Sequence, residues 1–141
     1  MTGQPIDVLT QPSGNGRVFQ PLPRSFAQRS AEAGGNVMGL ERHDGDGIIW
    51  GLHAMVRTPE LEAWALPRLR RAHAELRSFA ADAGGLLSWT TANYAHPSQD
   101  VFGSYGEENV QRIRDAAAKY DPDGVFQRLC PGGFKISAVK D

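Results

Sequence analysis

Four histidines, His43, His53, His73 and His96, are the side chains of this 141-residue chain best suited to moving protons near neutral pH. No two of them are spaced as a metal-binding pair on one helix face and no His-Glu-x-x-His occurs, so no metal site is expected. His73 falls among Arg70, Arg71 and Glu75 on an expected helix and reads as exposed. His53 falls on an expected strand where Ile49, Gly51, His53 and Met55 share one face and Ile48, Trp50, Leu52 and Ala54 the other. There it is either a hydrogen-bonded structural residue or a proton-transfer group tuned by a carboxylate, with Glu41 on the neighbouring strand as that carboxylate. The simplest register pairs His43 with Ile48 and sets Glu41 opposite Trp50, on the other face from His53. A one-residue slip or a bulge reverses that placement.

The densest polar and aromatic stretch is Ser88, Trp89, Thr90, Thr91, Asn93, Tyr94 and His96, where an expected strand runs into a loop. Tyr94 and His96 join His53 and Glu41 as candidate acid–base groups, and Trp50, Trp89, Asn93 and Tyr105 are the candidate substrate-binding residues. The alternative is that Trp89 and Tyr94 are core or edge aromatics. The single cysteine, Cys130, precedes Pro131 without an activating base, so it reads as a structural thiol and no internal disulfide exists. No nucleophile elbow or P-loop occurs, and Gly14-Asn15-Gly16 lacks the flanking strand and helix of a dinucleotide fingerprint.

The elements that must position these groups follow from turn and cap signals. Residues 1–24 carry Pro5, Pro12, Pro21 and Pro23 and read as an extended or mobile arm; residues 25–141 read as one domain. Ser25 and Gln28 match a capping box opening a short helix that stops at Gly34-Gly35. Residues 36–43 and 48–57 flank Asp44-Gly45-Asp46-Gly47, which predicts a hairpin rather than a calcium loop. Thr58-Pro59-Glu60 opens a long helix with an apolar stripe from Leu61 to Ala83, and Pro67 is expected to kink or split it near Trp64. A third strand is expected over 86–92. Ser104 and Glu107 form a second capping box, starting a helix that Asp121-Pro122-Asp123-Gly124 ends. The order implies an α+β fold, a small antiparallel sheet with helices on one face, and a homodimer to cover its exposed edges.

A hydrophobic fraction of 40% and a charged fraction of 22% fit a soluble globular domain, and a net charge of −1 argues against nucleic acid as a partner. The arginines 68, 70, 71 and 77 alternate with Glu60, Glu62 and Glu75 as on a solvated helix face. No apolar run long enough to span a membrane and no secretory signal is present, so a cytoplasmic protein is expected.

A set of short motifs runs in order along residues 34–135: Gly34-Gly35-Asn36-Val37-Met38-Gly39-Leu40, Asn93-Tyr94-Ala95, Gln99-Asp100, Ser104-Tyr105-Gly106, Glu108-Asn109, Tyr120-Asp121-Pro122-Asp123-Gly124, and Pro131-Gly132-Gly133-Phe134-Lys135. As a set it resembles the C-terminal, substrate-binding region of fungal FAD-linked oxidoreductases of the berberine-bridge, or vanillyl-alcohol-oxidase-like, class. The resemblance implies that this region builds a substrate-binding sheet and then returns along the flavin domain. It also implies that Asn93 and Tyr94 correspond to the Asn-Tyr segment beside the flavin ring or its ribityl chain. In such proteins the FAD-binding domain lies N-terminal, and residues 1–33 are too few to contain it. No anchor for covalent flavin can be assigned, and His96 stands where relatives commonly carry a small or acidic residue.

Three functions follow from these readings. The first is a stand-alone, cofactor-independent cyclase or isomerase of a specialised small-molecule metabolite, acting by substrate positioning and acid–base catalysis without any cofactor of its own. The second is a subunit of a split oxidase that completes a flavin site on a separate FAD-binding chain. The third is a binding module without catalytic activity.

Overall fold

The computed structural model describes residues 15–139. In chain order these form β1 (Asn15–Leu22), α1 (Arg24–Glu32), β2 (Gly47–Ala54), α2 (Pro59–Asp82), α3 (Glu107–Tyr120) and α4 (Val125–Leu129), with single 3₁₀ turns at Leu40–Arg42, Gly103–Tyr105 and Ile136–Ala138. The fold is α+β with a small antiparallel sheet. Its described residues divide into two compact units, one of 15–22 with 47–86 and one of 23–46 with 87–139, where a single domain was expected.

The first unit is a two-stranded ribbon and the long helix. β1 and β2 pair antiparallel from Asn15↔Ala54 to Leu22↔Gly47. Residues 15–22, expected as part of an extended arm, are therefore a strand; residues 1–14 of that arm lie outside the described residues. Cross-strand partners share a face, so Phe19, Trp50 and Leu52 lie on one side and Gly16, Val18 and His53 on the other. The alternation expected for 48–54 is thus present. On the first side the Trp50 indole meets the His73 imidazole of α2, with ring centroids 5.0 Å apart.

α2 starts where its cap signals place it, with the Thr58 hydroxyl accepting from the Leu61 N–H at 3.3 Å and proline in the first turn. It does not split at Pro67 but runs unbroken to Asp82. Arg68 reinforces the turn around the proline: its guanidinium donates to the Trp64 carbonyl at 2.7 Å and lies 4.1 Å over the Trp64 ring. Ala65 is the single buried residue among the described residues of this unit.

The second unit contains α1, α3 and α4 and the loops that join them. The hairpin expected between 36–43 and 48–57 does not form, because β2 pairs with β1 instead. Residues 36–43 curl locally: the Asn36 side chain accepts from the Met38 N–H at 2.7 Å and donates to the Ser30 hydroxyl at 2.6 Å, and Gly39 is left-handed. Such side-chain bonds to nearby groups offer the backbone an alternative to a ladder. The Asp44–Asp46 segment is no hairpin turn either; Asp46 accepts from the Arg24 N–H at 2.8 Å and Asp44 pairs with the Arg24 guanidinium at 3.1 Å.

Neither capping box is made. α1 is preceded by Pro23 and has no side-chain cap, and α3 begins after Gly106. α1 does end at the expected glycines, with the Gly35 N–H reaching the Ser30 carbonyl at 2.7 Å. The Asp121 carboxylate accepts from the N–H groups of Val125 and Phe126, at 2.6 and 3.0 Å, and so starts α4. Residues 86–92 form no strand. The core of this unit is Val101, Tyr105, Val110 and Ile136 with buried Asn109.

Candidate functional site

The best-built part of the second unit is a polar knot around Arg42. Its side chain passes between Gly39 and Gly106, donating to the Gly39 carbonyl at 3.3 Å and to the Ser104 carbonyl at 2.8 Å. A Cβ on Gly106 would collide with the Arg42 guanidinium, and one on Gly39 with the Tyr105 carbonyl; both glycines have positive φ, 92° and 72°. Asn109, 6% exposed, donates to the Tyr105 carbonyl at 3.1 Å. The knot ties the 36–46 loop to the start of α3. Sequence reasoning missed Arg42, although two glycines each flanking a polar loop are the signal of a close approach.

The same knot holds the segment leading to Asn93 and Tyr94. The Ser104 hydroxyl accepts from the Thr90 N–H at 3.1 Å and donates to the Val101 carbonyl at 2.6 Å. The Trp89 indole N–H donates to the Met38 carbonyl at 2.9 Å, which fixes the ring by its polar edge. Tyr105 is 4% exposed and packs edge-on against Phe102 at 6.0 Å. Burial raises its pKa above the usual phenol value, and a backbone hydrogen bond from Ala92 opposes that rise. Tyr105 thus supports the segment from below rather than facing solvent.

Asn93, Tyr94 and His96 stand exposed at the end of this tethered segment, Tyr94 at 65%. The His96 loop is closed on itself: the His96 N–H reaches the Gln99 amide oxygen at 2.8 Å and the Gln99 N–H returns to the His96 carbonyl at 2.9 Å. The Ser98 N–H donates to His96 Nδ1 at 3.1 Å. That bond requires Nδ1 to carry a lone pair, so the neutral ring holds its proton on Nε2. The imidazole is thereby set as a hydrogen-bond donor.

Ser98 and Gln99 also line a groove of about 860 Å³ in this unit. Its apolar wall includes Phe102 and Phe134, edge-to-face with centroids 6.3 Å apart, and its rim carries Arg114 and Lys135. Arg114 is anchored by a 3.1 Å bond to the Val139 carbonyl. A flat ring against the two phenylalanines, with an acidic substituent toward the cations, matches these surfaces.

Of the other expected site residues, Glu41 is exposed on the Leu40–Arg42 turn of the second unit. His53 is exposed on β2 of the first, and its ring lies over Gly16, where any Cβ would strike it. The hairpin register that was to bring Glu41 toward His53 does not exist, because the Glu41 segment is no strand. Trp50 is taken up by its contact with His73. Burial, and secondarily the Arg77 charge, lowers the His73 pKa.

Comparison with known proteins points to flavin enzymes. Over 121 residues the chain is 38% identical to "FAD-dependent monooxygenase drtC" of Aspergillus calidoustus, covering 86% of this chain and 23% of the relative. It is 36% identical to "FAD-dependent monooxygenase sdcF" of Emericella nidulans, covering 84% and 25% respectively. A relative with a different name, "Oligopeptidase PhomG'" of Diaporthe leptostromiformis, is 32% identical over 84% of the chain but only 10% of its own length. No protein-family model matches the chain, and no solved structure does.

A flavin would make two demands, and the described residues meet one. The amide of Asn93, the phenol of Tyr94 and the Nε2–H of His96 are suited to the polar edge of a flavin ring. The pyrophosphate wants a helix N-terminus free of acid, whereas α2 begins with Glu60 and Glu62 and α3 with Glu107 and Glu108. Among the described residues, then, the ring side fits and the phosphate side does not. The chain is similar over most of its length to fungal FAD-dependent monooxygenases and spans about a quarter of their length.

Proposed function

We propose that this chain is the substrate-side portion of a flavin-dependent oxidase or monooxygenase of the berberine-bridge type, acting on a small aromatic metabolite beside FAD held by another portion. One observation carries the reading. The segment with the resemblance, Asn93-Tyr94, ends exposed while Trp89, Thr90 and Tyr105 tie it down behind. A match covering 86% of 141 residues includes that segment wherever it begins. An exposed, rigidly backed Asn-Tyr pair is suited to meeting a surface that arrives from outside.

In this reading the flavin, when bound, supplies the electron acceptor. Asn93 and Tyr94 orient its ring, His96 donates a hydrogen bond through Nε2, and the Phe102–Phe134 groove holds the substrate. Co-expression with the remaining portion of a relative such as drtC should give a yellow complex with flavin absorbance. A colourless, monodisperse protein under all such pairings would sink the proposal.

A second reading, the cofactor-independent cyclase or isomerase, draws on the His96 loop. Its proton is placed by Ser98 without any flavin, so His96 and Tyr94 can serve as acid and base on their own, with Glu41 and His53 as the further candidates. Turnover by the purified chain alone, lost in the His96→Ala and Tyr94→Phe variants, would favour it. Unchanged turnover in alanine variants at all four positions would rule that mechanism out.

A further inference from the structure

β2 has the composition of a strand from the middle of a sheet. Its eight residues, Gly47–Ala54, include no Lys, Arg, Asp, Glu or Pro, and it is apolar on both faces. Strands at sheet edges normally carry charge, proline or a bulge against unwanted pairing. β1 is guarded in this way, by Arg17 and by Pro21, which has no N–H to offer. β2 is not guarded, yet β1 is its one ladder partner among the described residues.

In an antiparallel ladder every second residue of β2 turns its N–H and C=O away from β1. No other backbone hydrogen bond reaches residues 47–54 among the described residues. Beside that open edge Ile48 is 63% exposed and Met55 68%, and Phe19 on the Trp50 face is 69% exposed. A two-stranded ribbon is marginal in water, and Ala65 is the single buried residue of this unit's described part. The ribbon is built to be extended.

We infer that the free edge of β2 is completed by a β-strand of the flavin-binding portion, so that the sheet continues from one portion into the other. The inference rests on the proposed function. The occupant is chosen on length: the relatives carry about three quarters of their residues outside the part this chain matches. Main-chain bonds would give the affinity and the Ile48–Trp50 row the apolar register.

Hydrogen exchange read by mass spectrometry tests this on the full chain, alone at two concentrations and co-expressed with drtC from which the matched residues are deleted. In the chain alone, alternate amides of 47–54 should exchange fast at both concentrations. In the flavin-bearing complex they should slow by roughly 100-fold or more. Ile48→Glu, at a position already exposed, should leave the circular dichroism of the chain unchanged and weaken the complex by roughly tenfold or more.

Concentration-independent protection in the chain alone would assign the edge to the chain's own residues and overturn the inference. Protection that rises with concentration would assign it to a second copy, and also overturn it. A yellow complex in which 47–54 exchanges as before would overturn the inference and leave the proposed function standing. No complex at all would remove both.

Discussion

The imidazole of His53 lies across Gly16 on the facing strand, in the space that a side chain at Gly16 would need. The two are direct cross-strand partners, and the glycine is what lets the ring lie against the ribbon. Gly16→Ala should destabilise the first unit by about 1–3 kcal/mol, since overpacking forces the ring or the backbone to move. His53→Ala on the same background should recover most of that loss. Denaturant melts of the two single variants and the double variant form the cycle; additive effects would show that the ring moves aside freely.

Gly106 and Arg42 form a second such pair. Gly106 has φ 92° and ψ 151°, a conformation open in practice to glycine alone, and the guanidinium fills its Cβ position. Gly106→Ala should cost about 1–3 kcal/mol from the backbone alone. Arg42→Ala on that background should relieve the collision but not the backbone strain, so rescue should be partial. Full rescue in thermal melts would mean that the collision was the whole effect.

His73 sets a pH dependence. Its folded pKa is lowered, mainly by burial, so the folded protein holds the neutral ring while the unfolded chain binds a proton below its ordinary value of 6.5. Stability is then fully present above pH 6.5 and declines as pH falls below it toward the lower folded pKa. His73→Phe, which keeps a ring against Trp50, should flatten that part of the profile. An unchanged slope between pH 5 and pH 7 in urea melts would place the titrating group elsewhere.

Asp121 tests how local a cap can be. Both carboxylate oxygens are used, on Val125 and Phe126, so Asp121→Ala should cost about 1–2 kcal/mol and release the first turn of α4. Hydrogen exchange should quicken at 125–129 while α3 keeps its protection. Equal loss across α3 would show the two helices opening as one unit.

The parts legible in the sequence are those decided within a few residues. The Thr58 cap, the Gly34-Gly35 stop, the Asp121 turn and the two-residue alternation of β2 are all local, and all are present. The pairing of β2 was not legible. Asp44-Gly45-Asp46-Gly47 has hairpin chemistry, but the partner strand is β1, reached across α1, and nothing nearby in sequence encodes that choice. The capping boxes failed because Ser104 spends its hydroxyl on Val101 and Thr90, a long-range use that a four-residue motif cannot reveal. Trp89, Asn93, Tyr94 and His96 were marked by composition, whereas Arg42 acts through carbonyls and glycines distant in sequence.

The composition of β2 also governs how the protein can be kept in solution. Ile48-Ile49-Trp50-Gly51-Leu52 is β-prone, uncharged and proline-free, the makeup of segments that stack into cross-β aggregates when left open. Produced without whatever covers that edge, the protein should drift toward inclusion bodies as its concentration rises. A lysine placed at Ile48 would act as a gatekeeper, trading assembly for solubility. Yield in the soluble fraction thus becomes a direct reading of whether the strand has found its neighbour.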